Sequence, residues 1–134
     1  MFFYSRTHRP QKRSTEMARR GFTDADVTDQ SGKTFFVTGA NTGLGFEASK
    51  ALAQRGARVL LGCRDRSKAQ HAVARIQAAH PAADVAIVDL DLGDLASVET
   101  AANQVSQEPQ LHGLVNNAGI MMVPYAKTKD GFES

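Results

Sequence analysis

Residues 38–45 read Thr38-Gly39-Ala40-Asn41-Thr42-Gly43-Leu44-Gly45, and the segments on either side decide what this glycine-rich turn connects. Before it, residues 33–38 (KTFFVT) form a short apolar run of aromatic and β-branched side chains, the composition of a buried strand. After it, Leu44, Ala48, Ala51 and Leu52 share one face of a helix predicted over 43–54, and Gly56 stands where a helix-ending glycine belongs. The GxxxGxG spacing permits a tight turn and lets the backbone approach a pyrophosphate. The N–H groups and the positive end of the helix then face that anion. Glycines alone are a weak signal. Glycines that follow a strand and open a helix have the context of a dinucleotide-binding turn.

The same alternation continues outward. Residues 57–62 (ARVLLG) predict a second strand. Asp65 or Ser67 caps a helix that reaches about residue 79 through Ala69, Ala72, Val73 and Ile76, and Pro81 prevents its continuation. Residues 84–88 (DVAIV) predict a third strand. Asp94 or Ser97 starts a third helix through Leu95, Val98, Ala101, Ala102 and Val105, which Pro109 closes. Residues 111–115 (LHGLV) predict a fourth strand, running into Asn116-Asn117-Ala118-Gly119, and residues 120–134 read as a loop.

The order βαβαβαβ with short, wholly apolar strands implies an α/β fold: a Rossmann-type, doubly wound parallel sheet covered on both faces. The expected strand order is 3-2-1-4. Helices one and two are expected on one face, and helix three alone on the other, around strands one and four. Strand four would be an open apolar edge, which predicts an exposed apolar patch and a marginal or partly molten domain unless a partner completes it.

A chain of 134 residues with 42% hydrophobic and 22% charged side chains suits one globular domain. No apolar run approaches the length of a membrane span. The single cysteine, Cys63, excludes an internal disulfide framework, and the histidines His8, His71, His80 and His112 lack metal-ligand spacing. His71 and His80 are expected in solvent and His112 at the core edge. Charge is unevenly spread. Residues 1–20 carry six Lys or Arg and one acid, Glu16, whereas the rest is net negative. The basic segment is read as a disordered extension, with Met17 as a candidate start. An organellar presequence over 1–16 and a nucleic-acid arm are the alternatives. A net-negative domain argues against nucleic acid as a partner.

Residues 38–45 together with Asn116–Gly119 resemble the short-chain dehydrogenase/reductase family, and most closely its retinol-dehydrogenase-like and WW-domain-oxidoreductase-like members. Ser31-Gly32-Lys33, GCRD at 62–65, LDL at 90–92, LASV at 95–98 and DGFE at 130–133 extend the resemblance over residues 21–134. The resemblance implies that Gly39, Asn41, Thr42, Gly43 and Leu44 line the cofactor diphosphate and ribose. Asp91 would bond the adenine amino group, with Asp89 as a competitor, and Leu92 would lie beside the ring. Asn117, Ala118 and Gly119 would stabilise the sheet and border the nicotinamide ribose.

Cofactor choice turns on the end of strand two. A ribose 2′-hydroxyl calls for a carboxylate and a 2′-phosphate for arginine. The position that aligns with the carboxylate is Cys63, and Arg64 follows it, with Arg66 and Lys68 nearby. The expectation is NADP over NAD.

In the resembled family, a catalytic Tyr, a Lys four residues later and an upstream Ser lie beyond the segment matched by Asn116–Gly119. The helices that mediate oligomers lie there too. Tyr125 and Lys129 satisfy YxxxK, but they stand beside Pro124, too soon after Gly119 for the family's arrangement. No catalytic residue is assigned.

The expectation is therefore an NADP(H)-binding N-terminal part of a cytoplasmic alcohol/carbonyl oxidoreductase with a small lipophilic substrate. It would be truncated before the catalytic region and inactive by itself. The alternative is a non-catalytic nucleotide-binding or regulatory module that pairs with a full-length relative.

Overall fold

The computed structural model describes residues 21–134. The expectations for residues 1–20 lie outside the described residues. Seven elements follow a short 3-10 turn at Asp24–Asp26: β1 (Thr34–Thr38), α1 (Gly43–Gln54), β2 (Arg58–Cys63), α2 (Arg66–Ala79), β3 (Asp84–Asp89), α3 (Leu95–Val105) and β4 (Gly113–Val115). The strands form one parallel sheet in the order β3-β2-β1-β4, as the α/β reading requires. Its register pairs Phe36 with Leu60 and Leu114, and Leu60 with Ala86.

Strand alternation divides the core between the two faces. Val37, Val59, Leu61 and Cys63 pack with Phe46 and Ala53 of α1 and with Ala69, Ala72 and Ile76 of α2. Phe36, Leu60 and Val88 point the other way, onto Ala101 and Val105 of α3. Val37, Val59, Leu61 and Ile76 are fully buried, and each contributes about 1.5–3 kcal/mol of apolar transfer free energy. The face under α1 and α2 therefore carries most of the stabilisation. Arg75 of α2 adds a cation–π contact, 3.9 Å over the Phe46 ring.

The starts of α2 and α3 each use one of the two caps that the sequence allows. Asp65 caps α2 by accepting the Lys68 N–H at 3.0 Å. Asp94 caps α3 by accepting from Ala96. Ser97 serves the preceding turn instead, where its Oγ accepts the Asp91 N–H at 2.9 Å. At the opposite end of the sheet, Arg58 grips both oxygens of Glu108 at 2.9 Å and Asp84 at 2.6 Å. This clamp ties β2, β3 and the segment after α3 together.

Several expectations need correction. α3 lies over β3, β2 and Phe36 of β1, and not around strands one and four. A right-handed crossover from β3 to β4 passes over the strands it bridges, and that leaves the far edge uncovered. Nor are all strands buried throughout. β3 and β4 are the sheet edges, and Leu114 of β4 is 54% exposed. β4 is also shorter than residues 111–115. His112 does continue the pairing by other means: its N–H donates to the Thr34 carbonyl and its Nδ1 accepts the Thr34 N–H at 3.0 Å. His80, expected in solvent, is half-buried against Gln54. Among the described residues, no helix is long and apolar enough to cross a membrane.

Candidate dinucleotide-binding cleft

The C-terminal ends of β1, β2, β3 and β4 open into a cleft of about 690 Å³. Gly39, Asn41, Arg64, Asp91, Leu92, Ala118 and Gly119 line it. Four other residues singled out by sequence do not. Thr42, Gly43 and Leu44 form the start of α1, while Asn117 lies beneath the turn. A cleft outside the carboxyl ends of parallel strands is where this architecture places ligands.

The turn after β1 is held from below by Thr38 and Asn117. The buried Thr38 hydroxyl donates to the Val115 carbonyl at 3.3 Å and accepts the N–H groups of Asn117 and Ala118 at 3.1 and 3.0 Å. The Asn117 side-chain amide donates to the carbonyls of Thr38 and Gly39 at 3.0 and 3.3 Å. This packing explains two glycines. A Cβ on Gly39 would lie 2.9 Å from Ala118 Cα, and a Cβ on Gly45 would collide with the Asn117 amide. Gly39 also has φ +65°.

α1 begins without a side-chain cap, since Thr42 makes no capping bond. Its first turn has no acid, and Leu44 is 83% exposed. The N–H groups of the first turn and the positive helix end are thus open to an anion. The close backbone approach, the uncapped helix start and the donors of the turn fit the diphosphate of a dinucleotide.

At the end of β2, Cys63 is buried beneath the turn. Burial pushes its thiol pKa up, although the backbone N–H groups of Ala40 and Asn41 act against this. A neutral thiol is a poor acceptor for a ribose hydroxyl. Arg64 faces the cleft and makes no hydrogen bond to a described residue. The neighbouring cations are engaged: Arg66 with Asp89 at 2.7 Å, and Lys68 with Asp65 at 3.8 Å. The Asp65 carboxylate is turned to α2, and the Lys68 N–H holds its pKa below the usual range.

On the β3 side, Asp91 Oδ1 accepts the Gly93 N–H at 2.9 Å, and Leu92 is exposed beside it. The Asp89 carboxylate is taken up by Arg66.

Tyr125 and Lys129 lie in an irregular segment with no helix between them. Tyr125 is exposed, and Lys129 Nζ binds Asp94 at 2.6 Å. Among the described residues, no cluster of His, Cys, Asp and Glu is arranged to hold a metal ion. Sequence reasoning missed Thr38, Ser97 and the segment 126–134, which forms one wall of the cleft. Thr38 was visible as the residue that leads from the strand into the glycine turn, but nothing in its type marks its hydroxyl as the junction of two strands.

The family model for short chain dehydrogenase matches residues 33–132. The chain is 52% identical over 103 residues to retinol dehydrogenase 11 of Mus musculus, covering 76% of this chain and 33% of that protein. It is 51% identical over 105 residues to the short-chain dehydrogenase/reductase drtF of Aspergillus calidoustus, covering 78% of this chain and 33% of that one. The chain thus spans about a third of the length of the curated relatives it matches. A crystal structure of a protein from Mycobacterium paratuberculosis superposes with a TM-score of 0.73 at 45% identity, over 84% of this chain and 39% of that chain. A metagenomic short-chain oxidoreductase in complex with NADP superposes with a TM-score of 0.63 at 32% identity, over 69% of this chain and 42% of that chain. The glycine turn, the parallel sheet and these matches agree: the chain belongs to the short-chain dehydrogenase family.

Proposed function

We infer that this chain binds NADP(H) and provides the cofactor side of hydride transfer between an alcohol and a carbonyl compound of lipophilic character. When bound, the nicotinamide accepts or donates the hydride. The chain's own residues orient the dinucleotide. Gly39, Asn41, Thr42, Gly43 and Leu44 hold the diphosphate, Asp91 and Leu92 take the adenine, and Asn117, Ala118 and Gly119 border the nicotinamide ribose. The observation that carries the NADP reading is the pairing of a buried, neutral Cys63 with an exposed Arg64 facing the cleft. A guanidinium can take a 2′-phosphate with two parallel hydrogen bonds. This reading gives Tyr125 and Lys129 no catalytic role: they lie in an irregular segment, and the Lys129 ammonium sits on Asp94.

Titration of the purified chain with NADPH, followed by cofactor fluorescence with NADH as control, tests the reading. Saturable binding that favours NADPH supports it. Equal or stronger NADH binding removes the role of Arg64, and hydride transfer by this chain alone removes the assignment as a binding part.

The β4 edge favours a second reading, in which the chain is a regulatory module pairing with a full-length relative. Leu114 of β4 is exposed, as are Ile120, Met121 and Met122 in the segment that follows that strand. Co-purification with such a relative, lost on Leu114→Lys, distinguishes it.

A further inference from the structure

Residues 126–134 fold back on themselves and dock by their tip onto the turn that carries Asp91. The Thr128 N–H donates to the Phe132 carbonyl at 2.7 Å, and the Ser134 N–H donates to the Ala126 carbonyl at 3.0 Å, so the segment is a small closed hairpin. Lys127 and Glu133 form its antiparallel bridge. Three bonds from the tip reach the β3–α3 turn. The Lys129 N–H donates to the Gly93 carbonyl at 3.0 Å, Lys129 Nζ binds Asp94 Oδ2 at 2.6 Å, and Asp130 Oδ2 accepts the Leu95 N–H at 2.8 Å.

These bonds continue into the cleft. Gly93 takes its N–H to Asp91 Oδ1 and its carbonyl to Lys129. The peptide of Gly93 is therefore fixed at both ends, by Asp91 within the turn and by the hairpin outside it. Asp94 divides its two oxygens in the same way: one caps α3 and the other holds Lys129. Hydrogen bonding to Lys129 lowers the Asp94 pKa, and Asp94, Asp130 and Asp91 all raise that of Lys129, so the tip is charged through the neutral range. The hairpin residues and Asp91 line the same cavity.

We propose that Lys129 and Asp130 are positioning residues for the adenine end of the cleft, holding the turn that presents Asp91 and Leu92. This rests on the cofactor reading given above. The hydrogen bonds of the hairpin tip go to Gly93, Asp94 and Leu95 and not to Gly39 or Asn117, so its effect is expected at the adenine end of the cleft.

The test uses the full chain, with NADPH and adenosine 2′,5′-bisphosphate as probes. Lys129→Ala and Asp130→Ala each raise the Kd for both ligands about five- to tenfold, the loss expected when one charged hydrogen bond stops ordering the site. Lys129→Arg restores most of the affinity. Arg58→Ala is the control: it weakens the clamp at the far end of the sheet, lowering Tm while leaving both Kd values unchanged. Amide hydrogen exchange at residues 91–95 accelerates in the Lys129 and Asp130 variants and not in the control. Binding by the parent chain with unchanged Kd in both variants overturns the proposal alone. So does a loss matched by Arg58→Ala, since that would be general destabilisation. A parent chain that binds neither ligand overturns the cofactor reading and this proposal with it.

Discussion

The side-chain amide of Asn117 donates to the main-chain carbonyl of Thr38 at 3.0 Å, joining residues 79 positions apart in sequence. This bond and its companions to the Thr38 hydroxyl hold the glycine turn to the end of β4. The turn after β1 is thus anchored by the segment that follows the sheet's last strand.

Thr38→Val tests that anchor. Valine keeps the shape and removes the hydroxyl, leaving the Asn117 and Ala118 N–H groups without their acceptor. The expected loss is about 1–3 kcal/mol in urea unfolding, with weakened NADPH binding. An unchanged midpoint shows that the hydroxyl has no such role.

The glycines of the turn are not equivalent. Gly39→Ala meets both a positive φ and the Ala118 backbone, whereas Gly43, at φ +58°, has open space around its Cβ position. Gly43→Ala is therefore expected to cost about 1–2 kcal/mol from conformation alone. Gly39→Ala costs more, and it also displaces Ala118 from the cleft. Denaturation midpoints of the two variants measure the difference directly.

Acid weakens the clamp at the opposite end of the sheet. The Arg58 guanidinium holds the Glu108 carboxyl below its ordinary value of 4.5. A depressed folded-state pKa means that the stabilisation is complete above that ordinary value and is lost as pH falls through the folded one. The Glu108→Gln variant is expected to be less stable by about 1 kcal/mol at neutral pH. The difference closes as the solution is made acidic, which parallel melts at neutral and low pH would record.

Arg64→Ser addresses cofactor choice. NADPH affinity is expected to fall about tenfold or more while NADH affinity stays the same, because only the 2′-phosphate loses a partner. A parallel loss for both cofactors places Arg64 on the shared part of the dinucleotide instead.

Much of this architecture was legible in the residues. The apolar runs and their glycine, proline and aspartate punctuation reveal four strands and three helices, and right-handed crossovers leave few topologies, of which the expected order 3-2-1-4 is the one observed. The glycine turn marks the cleft because its spacing has a direct backbone consequence. What was not legible depends on contacts that leave no local pattern. The position of α3 over β2 and β3 follows from the path of its crossover. The Lys129–Asp94 and Asp130–Leu95 bonds each span 35 residues, and a lysine and an aspartate in a polar loop look no different from solvated ones. The choice of Asp65 over Ser67 as cap required the actual geometry, since both residue types suit the position.

The central place of β1 has a consequence for the order of folding. Its partner β2 arrives after a short crossover, but β4 must be brought back from nearly eighty residues away. Loop closure of that length is slow compared with the local pairing of β1, β2 and β3. The last step to form is then the one that seats Asn117 under the turn. Cofactor capture by a refolding chain would therefore lag behind the recovery of helical signal, and the lag would report the docking of β4.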